Sequence, residues 1–411
     1  MVSGGSRALA RCDALGVAPY TDMEGGLYRG YLSPAYASAQ RCLAAWMEEA
    51  GMSVRVDPAG NLVGRYEGER DGPPLLIGSH LDSVRDAGRY DGPLGIMLGV
   101  ECVAALHAEE RRMSFPIEVY AFGDEEGSRF PAAMLTSRAV AGTLDPATLD
   151  LRDAAGISLE DALALNGLSV SGFASARHGA ALAYLEAHIE QGPVLEAEAL
   201  GVGTVTGIAA QLRYAITVTG RAGHAGTTSM ALRRDALSAA AAMISKAEEV
   251  ARAGDADLVA TVGSIEVYPG AANVVPGEVR FTLDVRAASD AGRDAAALTI
   301  RSGFEAIARE RGVRYICRLL QDLPASPCDP ALMALMDAAI DDAGVSPFRL
   351  VSGAGHDAMI LASLCPTAML FIRCEGGISH NPAERVSAND CEIALRVMRG
   401  FIDKLGATVR D

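Results

Sequence analysis

The sequence predicts an α/β chain in which a mostly parallel sheet, covered on both faces, is interrupted by a smaller α+β domain. Three observations predict it. The opening third alternates helical patterns with short, continuous apolar runs, as strands buried on both faces do. From about Gln211 the strand patterns alternate in and out instead, in the order β-α-β-β-α-β. From about Pro330 the first style resumes around one very apolar run, TAMLFIR.

Taken in order, Ser33 to about Ala50 reads as a helix with Leu43, Trp46 and Met47 on one face. VRVD, NLVGRY and PPLLIGSH read as strands, followed by a helix from about Leu94 to Leu106 and the strand PIEVYAFG. In such sheets functional residues gather just beyond the carboxyl ends of the strands, and the two richest polar motifs begin there. LRYAITVTG is then a half-exposed strand, and an Ala-rich helix runs from about Ala231 to Ala253. LVATVGSIEV and EVRFTLDVRA are strands around the turn PGAANVVPG, a helix covers about Asp290 to Arg311, and VRYICRLL closes the set. This order is the split unit of a ferredoxin-like domain. The expected division is 1–207 with 323–411 for the interrupted α/β domain and 208–322 for the insertion.

Composition narrows the function classes. The 411 residues are 50% hydrophobic, and 52 acidic against 36 basic side chains leave a formal charge of -16. A nucleic-acid binder or a protein drawn to anionic lipid needs a basic surface or patch, and no cluster of Lys or Arg supplies one. No segment reaches the roughly 18 apolar residues of a membrane span, and the amino-terminal stretch lacks the apolar core of a signal peptide. The eight cysteines are dispersed without a CxxC pair, as expected of thiols in a reducing compartment. A cytoplasmic enzyme is the expectation. Histidine is scarce, with seven in the chain, so its company is informative.

Four segments carry candidate chemistry. In GSHLDSVRDAGRYDG, His80 and Asp82 are two apart, which puts them on one side of an extended chain, and Asp91 follows in a glycine-flanked loop. Asp82 can accept the second N–H of a ligating imidazole or stand beside it. Read by itself, the segment is equally a polar loop of caps and turns. In AFGDEEGSRFP, Glu125 and Glu126 can divide labour, one binding metal while the other takes a proton from the attacking water. A solvated acidic turn is the plainer reading, and its position directly after an apolar strand argues against it. His188 in AHIEQGPVLE and His380 in GGISHNPAE complete the set, although a lone histidine is more often structural. Together His80, Asp91, Glu126, His188 and His380 supply two three-ligand sites if Asp91 bridges, each with a position left open.

The ordered segments GSHLDSVRDAGRYDGPLG, FGDEEGSRFP, HIEQGPVLE, GRAGHAGTTSMALRRDAL, PGAANVVPGEVRFTLDVR, SGAGHDA and GGISHNPAE resemble the dinuclear metal amidohydrolases of the hydantoinase/carbamoylase branch of the peptidase M20 superfamily. In detail the chain is most similar to bacterial allantoate amidohydrolases. The resemblance implies two divalent metal ions per subunit, Mn or Zn first and Co or Ni as alternatives. One is held by His80, Asp91 and His188, the other by Asp91, Glu126 and His380. It makes Glu125 the general base and Asp82 the group that orients His80. His224 would reach across a homodimer interface to stabilise the oxyanion. Asn273 and Arg286 would hold a substrate carboxylate, with Gln191, Gly355 and Gln211 as further contacts. The inserted domain becomes a lid and dimerisation domain. The implied reaction is hydrolysis of the terminal ureido C–N bond of allantoate, with an N-carbamoyl-L-amino acid or ureidoglycolate as alternatives. Ser229 departs from the resemblance, standing where proline is frequent after HAGTT. A metal-binding scaffold without activity would be expected to lack Glu125, Asp91 or His224, and all three are present. His107 and His178 read as structural, and His356 as a support or helix cap rather than a ligand.

Overall fold

Helix starts in this chain are set by local caps. The Ser33 hydroxyl accepts the Tyr36 N–H and Pro34 follows at the first helical position, so a helix begins there. Asp235, Asp329 and Ser387 do the same for three later helices, each cap contributing about 1 kcal/mol. The structure, a computed structural model, describes residues 3–409. It divides into two compact units, Met1–Thr206 with Pro327–Asp411, and Gly207–Ser326.

The first unit begins with α1 Gly4–Leu15, α2 Pro34–Glu49, β1 Ser53–Val56, β2 Leu62–Tyr66, β3 Leu75–His80, α3 Pro93–Ala108 and β4 Ile117–Phe122. It continues through α4 Leu135–Ala141, α5 Leu159–Leu165, α6 Val170–Ala174, β5 Ala183–Ile189, α7 Val194–Ala197 and β6 Val202–Ile208. The second unit holds β7 Ala210–Thr219, β8 Gly223–His224, α8 Ala236–Ala253, β9 Val259–Thr261, β10 Ile265–Tyr268, β11 Val274–Val275, β12 Glu278–Ala287, α9 Asp290–Arg311 and β13 Arg314–Leu323. The chain then runs through β14 Ser326–Pro327, α10 Pro330–Asp342, β15 Arg349–Ser352, α11 Asp357–Leu361, β16 Thr367–Ile372 and α12 Ala388–Thr408.

The large sheet is mixed, which corrects the expectation of a mostly parallel one. Its order is β1-β2-β4-β3-β5-β16-β6-β14, with β15 beside β6. The centre is parallel: β4 with β3, β3 with β5, and β5 with β16. The β1–β2, β2–β4 and β16–β6 pairs are antiparallel. For β1 and β2 the reason is connection length. β1 and β2 are joined by a tight turn in which Asp57 accepts the N–H groups of Ala59 and Asn61, and a turn that short closes only antiparallel neighbours.

Helix α3 is buried on most of its circumference rather than amphipathic, with Pro93 to Val103 fully enclosed. It packs on β3, β4 and β5, while α1 and α12 cover its other side. Glu101, in the middle of α3, survives burial because Arg7 and Arg11 of α1 both pair with it.

In the second unit Leu212, Tyr214, Ile216 and Val218 of β7 and Val279, Phe281, Leu283 and Val285 of β12 alternate onto one face. They pack on α8 through Ala236, Ala239, Ala240, Met243 and Ala247, and on α9 through Ala297, Ile300 and Phe304. Two expectations shift here. LVATVGSIEV is two strands, β9 and β10, each paired with a different stretch of β12. Helix α8 starts at Ala236 rather than Ala231, because Asp235 accepts the N–H groups of Leu237 and Ser238 and so sets the first turn. Among the described residues no helix is long and apolar enough to cross a membrane.

Candidate metal centre

Because β4, β3, β5 and β16 are consecutive parallel neighbours, their carboxyl ends lie along one edge of the sheet. His80 closes β3, Asp124 to Glu126 follow β4, His188 is the penultimate residue of β5, and His380 lies in the loop after β16. Asp91 reaches the same edge from the loop between β3 and α3. Gly92 makes that approach possible: it has a φ of +84°, and a Cβ there would lie 2.4 Å from the His80 carbonyl oxygen.

The five expected ligands come together. Asp91 Oδ1 lies 3.5 Å from His80 Nε2 and 3.2 Å from His188 Nε2. Its other oxygen, Oδ2, lies 3.2 Å from His380 Nε2, which is also 3.2 Å from Glu126 Oε1. His80, Asp91 and His188 form one candidate group, and Asp91, Glu126 and His380 another. A third combines His80, Glu125 and Glu126, so Glu125 stands beside the ligands as well. Asp124 and His380 adopt positive φ, as does Gln191, strain of about 1–3 kcal/mol each that the surrounding packing holds in place.

The donor set fits a cation. His80 Nδ1 faces the Asp82 backbone carbonyl at 3.1 Å, and His188 Nδ1 faces that of Ile189 at 2.9 Å. A carbonyl only accepts, so Nδ1 carries a proton in each ring, and Nε2 is the nitrogen each ring would offer a cation. The two Nε2 atoms are 3.5 Å apart. Ligands of a tetrahedral ion bound at 2.0–2.1 Å are separated by roughly 3.3 Å, close to this spacing. The surrounding charge argues the same way. Burial pushes Glu125 well above the ordinary carboxylate range, with His80 opposing and Glu126 adding. Burial also raises Asp82 to about 6, Asp357 to about 8 and Glu384 to about 7. Asp91 goes the other way: burial opposes it, but His188, His380 and His80 hold it well below its usual value. An edge with this surplus of buried carboxyl groups is relieved by divalent charge.

The second unit, described by itself, carries the other candidates in two places. β8 pairs with β11 so that His224 faces Val274, and Asn273 is next in line, its carbonyl accepting the Ala225 N–H. Both side chains are exposed. His224 Nδ1 accepts the Gly226 N–H at 3.1 Å, which leaves Nε2 as the protonated, outward donor. Arg286 and Gln211 are direct cross-strand partners on β12 and β7. Both bind Asp284, Arg286 through Nε at 2.8 Å and Gln211 through Nε2 at 2.5 Å, with Arg213 as a third partner.

Residues 76–404 match the family described as Peptidase family M20/M25/M40. The chain belongs to this family. An N-carbamoyl-L-amino acid amidohydrolase of Geobacillus stearothermophilus is 44% identical to this M20 hydrolase, over 91% of this chain and 92% of its own. Allantoate deiminase 1 of Glycine max is 38% identical, over 97% and 89%. Among solved structures, an amidase of the hydantoinase/carbamoylase family from Burkholderia multivorans superposes with a TM-score of 0.92 at 34% identity, over 98% of each chain.

Several residues of this M20 chain differ from expectation or were not anticipated. The Asp82 carboxylate stands beside His80, its Oδ1 3.8 Å from Nδ1, and its two oxygens also accept the Glu125 and Glu126 N–H groups at 3.2 and 3.3 Å. The strand ends at His80, and the turn that follows also brings the Asp82 backbone carbonyl to the imidazole, 3.1 Å from Nδ1. Gln191 donates to Asp91 Oδ2 at 3.0 Å and to Ser379 Oγ at 3.1 Å, a place among the ligands. Gly355 lies against Met134, whose Cε would be 2.5 Å from a Cβ. His356 makes no side-chain cap. It sits at the start of α11, bonded to Ser352 Oγ at 2.9 Å, with its ring 4.4 Å from that of His188. Glu186 was missed, buried two residues before His188 and accepting from Ser79, Tyr184 and Ala358. A glutamate inside an otherwise apolar strand was the available signal. Ser379 and Glu384 stood inside a quoted motif without a role.

Proposed function

We propose that this protein is a metal-dependent amidohydrolase that cleaves the terminal C–N bond of a ureido group in a small anionic substrate, with allantoate as that substrate and ureidoglycine as product. The observation that carries the reading is Asp91, whose two oxygens face two different groups, His80 with His188 and Glu126 with His380. Divalent cations bound there, Mn or Zn with Co or Ni as alternatives, supply Lewis acidity toward the ureido carbonyl and toward water.

The chain's own residues do the rest. Glu125 takes the proton of the attacking water and returns it to the departing ammonia. Its carboxyl is buried beside His80, and its backbone is held by Asp82. The carbamate left on the product then loses carbon dioxide. His224, with Nε2 as its donor, stabilises the oxyanion from the partner subunit of a homodimer built through the second unit. Asn273 and Arg286 bind the substrate carboxylate, aided by Gln211, Gln191 and Gly355, and the guanidinium suits this because its planar fork matches two oxygens. The eight cysteines are free, in keeping with action in the cytoplasm.

A second substrate, an N-carbamoyl-L-amino acid, is favoured by the Geobacillus stearothermophilus relative. Ammonia release from allantoate, ureidoglycolate and several N-carbamoyl-L-amino acids, each with Mn, Zn, Co and Ni, separates the readings. Allantoate is expected to give the highest kcat/KM. Turnover of dipeptides with none of any ureido compound would sink the proposal.

A further inference from the structure

The proposed metal centre depends on where the Asp91 loop sits, and that loop is tied down by one buried side chain. Glu384 is 4% exposed. A single oxygen, Oε1, accepts the backbone N–H of Tyr90 at 2.8 Å and of Asp91 at 3.2 Å. Its other oxygen has no hydrogen-bond partner among the described residues. Gly88 closes over the carboxyl group so tightly that a Cβ there would lie 2.2 Å from Glu384 Cδ. The base of Glu384 is itself fixed by a turn: Asn381 accepts the Ala383 N–H with its side chain and the Glu384 N–H with its carbonyl. From the start of the same loop, Ser379 donates to Asp91 Oδ2 at 2.8 Å.

We propose that Glu384 is a positioning residue that locks the Asp91 loop to the His380 loop, so that both candidate ligand groups are held in place before any ion arrives. This rests on the metal reading above. Glu384 touches neither substrate nor ion; it acts through the Tyr90 and Asp91 backbone. The geometry makes a specific demand, because one accepting oxygen is enough. Glu384→Gln keeps that oxygen and places its amide where the unpartnered oxygen stood, whereas Glu384→Ala removes the tie.

The test is calorimetric titration of manganese(II) alone, and of zinc(II) in parallel, into the metal-free full chain. Glu384→Ala is expected to weaken binding about 10–100-fold, the usual cost of losing a group that holds ligands in position. Glu384→Gln is expected to bind as the wild type does. Gly88→Ala, which evicts the carboxyl group without altering Glu384, should weaken binding like Glu384→Ala and serves in its place if that variant does not fold. Wild-type affinity in both Glu384→Ala and Gly88→Ala overturns the inference, as does a Glu384→Gln variant as weak as Glu384→Ala. A wild-type chain that takes up neither ion removes the metal reading itself, a different failure.

Discussion

In the first unit, His80, Asp91, Glu125 and His188 are buried at the ends of parallel strands and answer one another's charge, whereas in the second, His224 and Asn273 stand exposed on a two-stranded ribbon and Arg286 leans on Asp284. The difference follows from the cost of burial. Buried ionisable groups need partners close by, so the first unit carries its own network of tethers. Exposed groups are satisfied by water and can wait for a ligand or a second subunit. Changes in the first unit should therefore disturb chemistry or metal, and changes in the second should disturb turnover or substrate while leaving metal binding alone.

The sharpest way to break this contrast is Glu125→Gln, expected to lower kcat by about two to four orders of magnitude with metal content unchanged by elemental analysis. Wild-type ammonia release would remove Glu125 as the base. His224→Ala is next, with a loss of about two to three orders in kcat and an unaltered manganese isotherm. Mixed with Glu125→Gln protomers it should regain activity, and none in verified heterodimers would withdraw the cross-subunit role. Arg286→Ala should raise KM for carboxylated ureido substrates about 10–100-fold, from the loss of a charged hydrogen bond of about 1.5–3 kcal/mol. An unchanged KM would mean the carboxylate is held elsewhere.

The smallest effect concerns a pair remote from the chemistry. His178 Nε2 lies 3.3 Å from Glu118, and that contact raises the imidazole above its ordinary value against the pull of burial. Glu118 is lowered to about 2: burial opposes the shift, but His178, Arg55 and Arg65 together outweigh it. The imidazole's contribution is fully present below the unfolded pKa of about 6.5 and is lost as pH rises through the higher folded value; that of Glu118 is present above about 4.3 and lost as pH falls toward 2. His178→Ala should therefore cost about 1–3 kcal/mol near pH 5.5 and less near pH 9. Thermal unfolding at both pH values checks it, and an equal loss at both would dismiss the ion pair.

Legibility differed by residue type. His80, Asp91, Glu126, His188 and His380 could be read because histidine is rare and each stood just past an apolar run or in a glycine-rich turn. Strand interiors and the long helix α9 were readable for the same reason, since apolar spacing repeats locally. Asp284, the partner of Arg286, Arg213 and Gln211, was not readable, because an aspartate on the half-exposed face of a strand looks like any solvated residue. The Asp82 contacts with the Glu125 and Glu126 backbone were not readable either, because they depend on the turn that follows His80. Glu384 lies far along the chain from Tyr90 and Asp91, and nothing in its motif names those partners.

The sequence by itself determined which residues could bind a cation, which runs would be strands, and that a differently patterned segment interrupts the first domain, because composition and periodicity are local properties of a chain. Tertiary structure decided that β3, β4, β5 and β16 would be parallel neighbours, that Asp91 would turn one oxygen to each histidine group, and that Glu384 would hold its loop. Those are contacts between residues distant in sequence, and only assembly of the sheet and its loops brings them within hydrogen-bonding reach.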